Sequence, residues 1–422
     1  MLKDRLAIDG GTPVRRRFPP LGKGVDLIGD EEIHAVTAVL RDRNLFRYHG
    51  SQTNARVATF EQAAAEAFGA RYTLATASGT AALRCALAAL GVGCRDEVIV
   101  PAFTFIATVG AVVNAGAVPV FAEVDDSLTL DIDDVGSKIG SRTVAMIPVH
   151  LENVACAMDE LLALGAARGI AVLEDAAQAI GVTYHGRAVG TLGAMGACSF
   201  QETKNITTGE GGMVLTDDED LYVRAARFHD QGGQFVTQYR GTRGPERGEP
   251  FVGDNLRMTE LAGAIGCVQL ARLPALLSAM RANCARIEST IGTIPGLIAR
   301  RIPDPEGAGG SSLTWFAADT DVARRMVEAL RAEGVPAAQM YDGLPVYASP
   351  AVVARRTASN KGGPWHCAEH PTGVNYAPGL CPRTEDLVAR SITIGIGPAF
   401  TERDCDDVAE GVRKVARHVL GA

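Results

Sequence analysis

MGACSFQETKNITTGEGGMVLT, residues 195–216, is the stretch on which the reading of the whole chain turns. Met195 to Phe200 is a short apolar run with the character of a buried strand, and Met213 to Thr216 is a second one. Between them Lys204 stands in a polar, threonine-rich bend, and Glu210-Gly211-Gly212 turns the backbone. A lysine side chain is flexible, strongly hydrated and ordinarily exposed. Set between two buried strands, with glycines beside it that permit close approach, it becomes a positioned amine. Desolvation activates such an amine to form a Schiff base with a carbonyl compound. A surface lysine in a hairpin loop is the plainer alternative, and the rest of the chain has to decide between them.

The chain of 422 residues is long enough for a large core and two domains. Its 47% apolar and 21% charged residues are ordinary for a globular protein. With 49 acidic against 41 basic residues the net charge is -8, which argues against a nucleic-acid-binding surface. A local anion site remains open, because a helix N-terminus can hold a phosphate. None of the nine cysteines lies in a CxxC pair or at zinc-finger spacing, so a reducing, cytoplasmic setting is expected. His366 and His370 are four apart, but prolines bracket them and no HExxH frame exists, so no metal is expected. The N-terminus lacks an apolar signal core, and no membrane-length apolar run is read.

Residues 1–30 form an arm punctuated by Gly10-Gly11 and Pro19-Pro20. A helix is expected over 31–40 with Asp30 as its N-cap, and another over 59–68 closed by Gly69. From residue 72 strands alternate with helices: strands over 72–76, 97–100, 118–122, 144–149 and 170–173, helices over 81–90, 106–115, 131–139 and 158–167. That alternation predicts an α/β protein whose mostly parallel sheet is covered on both faces. Ligands of such sheets bind beyond the carboxyl ends of the strands, where Phe103, His150, Asp175 and Gln178 fall. Ser78-Gly79-Thr80 opens a helix and reads either as an anion site or as a plain cap. Asp175 reads either as a site carboxylate or as a helix N-cap before Ala176.

Further on, a helix over 220–227 precedes a polar insertion reaching about residue 252, and helices follow over 261–270 and 274–291. Residues 292–422 carry strands over 313–317 and 392–396 and helices over 321–333 and 401–420, a smaller α/β unit. The expected division is 1–280 for arm and large domain and 281–422 for the small C-terminal domain.

Five motifs in order, VIVPAFTFIAT (98–108), VLEDAAQAIG (172–181), the G-R-x-x-G-x-x-G run (186–193), SFQETKNITTGEGG (199–212) and NLRMTE (255–260), resemble one family. It is the sugar-aminotransferase family of fold-type I pyridoxal phosphate enzymes, the DegT/DnrJ/EryC1/StrS family, and the resemblance runs from about residue 25 to the end. It implies an aspartate-aminotransferase-like fold and pyridoxal 5'-phosphate as cofactor. It implies that Lys204 carries the internal aldimine, that Asp175 pairs with the pyridine nitrogen, and that Ser199 with Gly79 and Thr80 cradles the phosphate. Phe103 would stack on the ring, Gln178 would pack on its other side or orient its oxygen, and Asn255 would reach the phosphate from the neighbouring subunit of a homodimer. The family also holds dehydratases that lack the lysine. Lys204 is present here, so transamination from glutamate or glutamine to a keto sugar, keto-cyclitol or keto-octulosonate is expected. A decarboxylase or eliminase using the same lysine, or a non-catalytic regulatory relative, are the alternatives. HLENV (150–154) departs from the family pattern by placing Glu152 where many relatives carry an aromatic or glycine-containing turn. LFRYHG and HDQGG resemble a branch with keto-octulosonate transaminases, which makes Arg47, His229, Gln231 and Arg257 candidates for acceptor or carboxylate contacts.

Overall fold

The computed structural model describes residues 5–48, 55–233, 249–359, 363–366 and 375–421. The amino-terminal arm leads to α1 (Asp30–Asp42) and α2 (Arg56–Phe68). Then come β1 (Tyr72–Thr76), α3 (Gly79–Ala89), β2 (Glu97–Pro101), α4 (Ile106–Asn114), β3 (Val118–Ala122), α5 (Ile132–Lys138) and β4 (Thr143–Met146). They are followed by α6 (Met158–Arg168), β5 (Ala171–Asp175), a small hairpin of β6 (Thr183–Tyr184) and β7 (Arg187–Ala188), β8 (Met195–Ser199), β9 (Gly212–Thr216) and α7 (Glu219–His229).

The large sheet has seven strands in the order β1-β9-β8-β5-β4-β2-β3. The pairs from β8 to β3 are parallel, and β9 alone runs against its neighbours. The mostly parallel sheet read from the alternation is therefore present, with one antiparallel strand supplied by the hairpin that contains Lys204. Because β1, β2, β5 and β8 all point the same way, their carboxyl ends share one edge. That edge gathers residues following Thr76, Pro101, Asp175 and Ser199. Val57, Phe60, Met146 and Met280 belong to the core on one face of the sheet, and Leu83, Leu87, Val109 and Ala225 to the core on the other.

The helix α8 (Glu260–Ile291) joins this layer to a second one. Thr259 caps it by accepting the Ala262 N–H at 3.3 Å. The two helices expected over 261–270 and 274–291 are one, with Pro274 inside, and residue 280 lies in mid-helix. An interior proline removes one helical hydrogen bond, a loss offset here by packing along the helix. By length and composition α8 could cross a membrane. Instead its first half presses Gly263 and Gly266 against Val57 and Phe60 of α2, and its last turns enter the small core through Ile287 and Ile291.

The small domain adds β10 (Ile298–Ala299), β11 (Ser312–Phe316), α9 (Thr320–Ala332), β12 (Ala337–Ala338), α10 (Pro350–Val353), α11 (Pro382–Ala389), β13 (Ser391–Gly395) and α12 (Glu402–Leu420). Its antiparallel sheet, ordered β10-β11-β13-β12, shares a core of Ile392, Ile394, Met326, Leu330, Val408 and Val412 with α9 and α12.

Two helix starts are set by groups that the local reading did not name. The N-cap of α1 is Gly29, whose N–H donates to Glu32 Oε2 at 2.9 Å, and Asp30 is the first helical residue. Helix α2 begins at Arg56 because the buried Glu260, far along the chain, accepts the Val57 N–H at 3.1 Å and the Arg56 N–H as well. Most of the polar insertion, His49 and Gly50 of LFRYHG, Cys367 and His370 lie outside the described residues. The eight described cysteines are free, and among the described residues no cluster of His, Cys, Asp and Glu could hold a metal.

Candidate active site

At the shared strand edge lies a cavity of about 610 Å³, bordered by Lys204, Asp175, Ser199, Gly79, Thr80 and Gln178 among others. Lys204 sits in the loop of the β8–β9 hairpin. Its N–H donates to Gln201 O at 3.0 Å, and the loop is closed by Phe200 N–H to Gly211 O at 2.8 Å and Thr208 N–H to Phe200 O at 2.9 Å. The next residue anchors the bend: Asn205 Nδ2 donates to Asn153 Oδ1 at 2.7 Å and to Ile180 O at 3.1 Å. Burial holds the Lys204 amine below the ordinary lysine range; Asp175 and Glu152 oppose that shift and Lys23 adds to it. A neutral amine is thereby available nearer to neutral pH, the state that attacks a carbonyl or takes a proton.

Asp175 is the last residue of β5 and is buried. Its Oδ2 accepts the Thr108 hydroxyl at 2.8 Å and its Oδ1 the Ala177 N–H at 3.1 Å. Burial pushes its carboxyl upward, while Thr108, the Ala177 N–H, Lys204 and His150 hold it down. No helix begins at Ala176, so the capping alternative falls. Strand alternation turns the adjacent Glu174 the other way. It accepts the N–H groups of Leu192 (2.6 Å), Gly193 (2.7 Å) and Gly190 (2.7 Å) and stands 2.9 Å from His150 Nε2. The glycine run of 186–193 thus ties down the strand end from which Asp175 emerges.

The start of α3 supplies an anion cradle. Ser78 caps the helix by accepting the Ala81 N–H at 3.1 Å. The N–H groups of Gly79 and Thr80 belong to the first turn, which has no partners within the helix, and the helix dipole favours an anion there. A Cβ on Gly79 would stand 2.7 Å from Ser199 Cβ, and one on Gly212 2.2 Å from Ser78 O. These two glycines let α3 begin directly against the hairpin. Two N–H groups and the Thr80 and Ser199 hydroxyls form a donor set suited to a phosphate. With a carboxylate and a lysine bordering the same space, the residues fit pyridoxal 5'-phosphate.

The sequence profile of the DegT/DnrJ/EryC1/StrS aminotransferase family matches residues 26–413. The chain belongs to that family. It is a fold-type I, pyridoxal phosphate-dependent aminotransferase by family and architecture. It is 32% identical over 410 residues to the spore coat polysaccharide biosynthesis protein SpsC of Bacillus subtilis, covering 96% of this chain and 99% of the relative. Another relative is L-glutamine:2-deoxy-scyllo-inosose aminotransferase of Streptomyces kanamyceticus, 32% identical over 442 residues, with 98% and 97% covered. Among solved structures, the aminotransferase from Psychrobacter cryohalolentis superimposes with a TM-score of 0.80 at 28% identity, covering 96% of this chain and 100% of that one. DesI, solved in the presence of its TDP-sugar product, gives 0.79 at 29% identity, with 99% and 97% covered.

Not every residue singled out from the sequence borders the aminotransferase cavity. Phe103, expected to stack on the cofactor ring, is 1% exposed and packs with Val149, Leu151 and Phe316 in the seam between the domains. The aromatic that borders the cavity from the same loop is Phe105, which is 54% exposed. Tyr341 joins it there, its hydroxyl accepting Gln178 Nε2 at 3.0 Å. Arg47, His229, Gln231 and Arg257 do not line this chain's cavity. Arg47 is buried, donates to Ala75 O at 2.6 Å and pairs with Glu61. His229 Nε2 lies 2.9 Å from the Tyr48 hydroxyl, and burial with nearby Arg47 and Arg257 holds its imidazole neutral. Arg257 pairs with Asp230 and lies over the Phe46 ring at 5.0 Å. Gln231 is exposed and its N–H donates to Asp254 O at 2.8 Å. Asn255 is exposed and outside the cavity, its backbone bridged to Asp230. Residues that local reading missed are Thr108, Tyr341, Lys23 and Glu174; His150, expected at a strand end, pairs with Glu174 and does not border the cavity.

Proposed function

We propose that this aminotransferase moves an amino group from glutamate or glutamine to a polyhydroxylated ketone, a keto sugar, keto-cyclitol or keto-octulosonate. It would work in the cytoplasm as a homodimer, Asn255 reaching the cofactor phosphate of the partner subunit. The observation that carries the reading is the convergence of Lys204, Asp175 and the Gly79–Thr80–Ser199 cradle on one cavity. The full-length relatives named for 2-deoxy-scyllo-inosose support a cyclitol or sugar-like acceptor.

Bound pyridoxal phosphate supplies the carbonyl and the electron sink. The remaining work belongs to this chain. The α3 N-terminus and Ser199 hold the phosphate. Asp175 favours the protonated ring nitrogen, with Thr108 orienting the carboxylate. Phe105 and Gln178 border the cavity, where Phe105 would cover a face of the ring. Lys204, its amine shifted below the ordinary lysine range by burial, takes the proton from the donor Cα and later returns one to the acceptor carbon. Glu152, bordering the cavity beside Tyr341, meets acceptor hydroxyls as a hydrogen-bond acceptor.

The test mixes purified protein with glutamate or glutamine and follows the absorbance of the bound cofactor, then screens keto sugars, keto-cyclitols and keto-octulosonates by product mass. Conversion by a donor, followed by an aminated product, is expected. Failure of every donor with cofactor present sinks the proposal.

A further inference from the structure

The amino-terminal arm does not end at the surface of the small domain; it crosses the seam between the two layers and passes beside Lys204. At Gly22 a Cβ would stand 2.3 Å from Ala399 Cβ of the small domain, and at Gly24 one would stand 2.8 Å from Thr207 N in the lysine hairpin. The Gly24 N–H donates to Asn205 O at 3.0 Å, and the Gly22 N–H to Asp26 Oδ2 at 2.9 Å. Arg272 of α8 holds the following turn through Leu27 O. Both glycines are close crossings that a larger residue would push apart, so the strap is fixed on each side of the one residue between them, Lys23.

Lys23 borders the cavity. Among the described residues that do so, the only cations are Lys23 and Lys204. Lys204 is committed to the reacting carbon. An amino acid donor brings an α-carboxylate next to the amine it gives up, and a carboxylate leaving water needs a cationic donor to replace its hydration. The carboxylates on the cavity wall, Asp175, Glu152 and Glu210, make no ion pair with Lys23 among the described residues.

We propose that Lys23 binds the α-carboxylate of the amino donor. The inference rests on the aminotransferase reading above and adds a residue of the arm to its substrate contacts. Such a contact serves the donor, which carries a carboxylate beside its amine, and has no counterpart in a neutral keto sugar or keto-cyclitol acceptor entering the same space.

The experiment compares L-glutamine with L-glutaminamide, in which the carboxylate is a neutral amide, in the donor half-reaction of wild type, Lys23→Gln and Lys23→Arg. Cofactor occupancy is checked separately by borohydride trapping on Lys204. Lys23→Gln should weaken apparent L-glutamine binding by about 10- to 100-fold, the worth of a hydrogen bond to a charged group. L-glutaminamide should react as in wild type, and Lys23→Arg should restore most of the lost affinity. Equal effects on both donors, or no effect on either with cofactor retained, overturn the inference while the aminotransferase reading stands. A wild-type protein that holds cofactor and reacts with no donor ends both.

Discussion

Thr108→Val separates the electrostatic role assigned to Asp175 from a merely structural one. Thr108 is fully buried near the start of α4, its hydroxyl donating to Asp175 Oδ2 at 2.8 Å and lying 3.0 Å from Thr104 Oγ1. Valine keeps the branched shape and removes the donor. A hydrogen bond to a charged group is worth about 1.5–3 kcal/mol, and one pH unit corresponds to about 1.4 kcal/mol, so the Asp175 carboxyl should rise by roughly 1–2 units. The sign follows from the groups around it: burial already pushes Asp175 up, and Thr108 is the first of those that hold it down. A higher value leaves the carboxyl protonated, and unable to favour a protonated ring nitrogen, over a wider acid range. The acid limb of the donor half-reaction should therefore move up by roughly 1–2 pH units, with little loss on the plateau. Rapid-mixing absorbance across the profile measures it, and Thr108→Ser should restore the wild-type limb. A loss equal at every pH, or an unmoved limb, refutes the assignment.

Phe103→Ala should cost about 3–5 kcal/mol of stability in urea unfolding, whereas Phe105→Ala should leave stability within about 1 kcal/mol and weaken cofactor retention. The reverse pattern would return the ring-covering role to Phe103. Glu174→Gln leaves backbone N–H groups of the 190–193 turn facing an amide N–H and should destabilise by about 2–4 kcal/mol, read as a lower urea midpoint with unchanged slope. A loss below about 1 kcal/mol would mean that Glu174 does not anchor the strand end. Arg47→Met uncovers the buried Glu61 carboxylate and should cost about 3–5 kcal/mol, with Glu61→Leu added to it recovering part of the loss. A changed acceptor KM at full stability would instead make Arg47 a substrate contact.

The order of strands and helices was legible because buried parallel strands are short apolar runs and the helices between them are periodic. Asp175 stood out for the same reason, as a carboxylate at the end of such a run. Its partner Thr108 was hidden, since the two meet across 67 residues and only the parallel pairing of β2, β4 and β5 brings them together. The strand pattern by itself, without the family resemblance, did not decide which of Glu174 and Asp175 faces the cavity. Alternation requires opposite directions, but the sheet's neighbours decide which is which. Phe103 and Phe105 differ by two positions beyond the end of β2, and the inward ring is chosen by Phe316 and Leu387 of the small domain. Arg47, His229 and Arg257 look like ligand contacts because charge beside aromatic rings is common in sites. Their partners Glu61, Tyr48 and Asp230 satisfy them within the protein.

Lys204 illustrates why the deciding residue was the hardest to judge locally. Nothing in a glycine-bounded bend forces its lysine inward, and an isolated hairpin would leave the amine in water. Four separate parts of the chain enclose it. Asn153, in a turn where Glu152 and Asn153 both adopt left-handed backbone angles (φ 52° and 59°), grips Asn205. The start of α3 closes against Ser199 and Gly212, the end of β5 brings Asp175, and the strap carrying Lys23 crosses the following residues. Two of these bring negative charge and one positive charge to the amine. Burial supplies the downward shift, Lys23 adds to it, and the opposing carboxylates limit it. On this argument the reactivity of Lys204 belongs to the assembled edge of the sheet and not to the hairpin. Widening Gly24 to alanine, whose Cβ would press on Ile206 and Thr207, should alter it without replacing any residue of the loop.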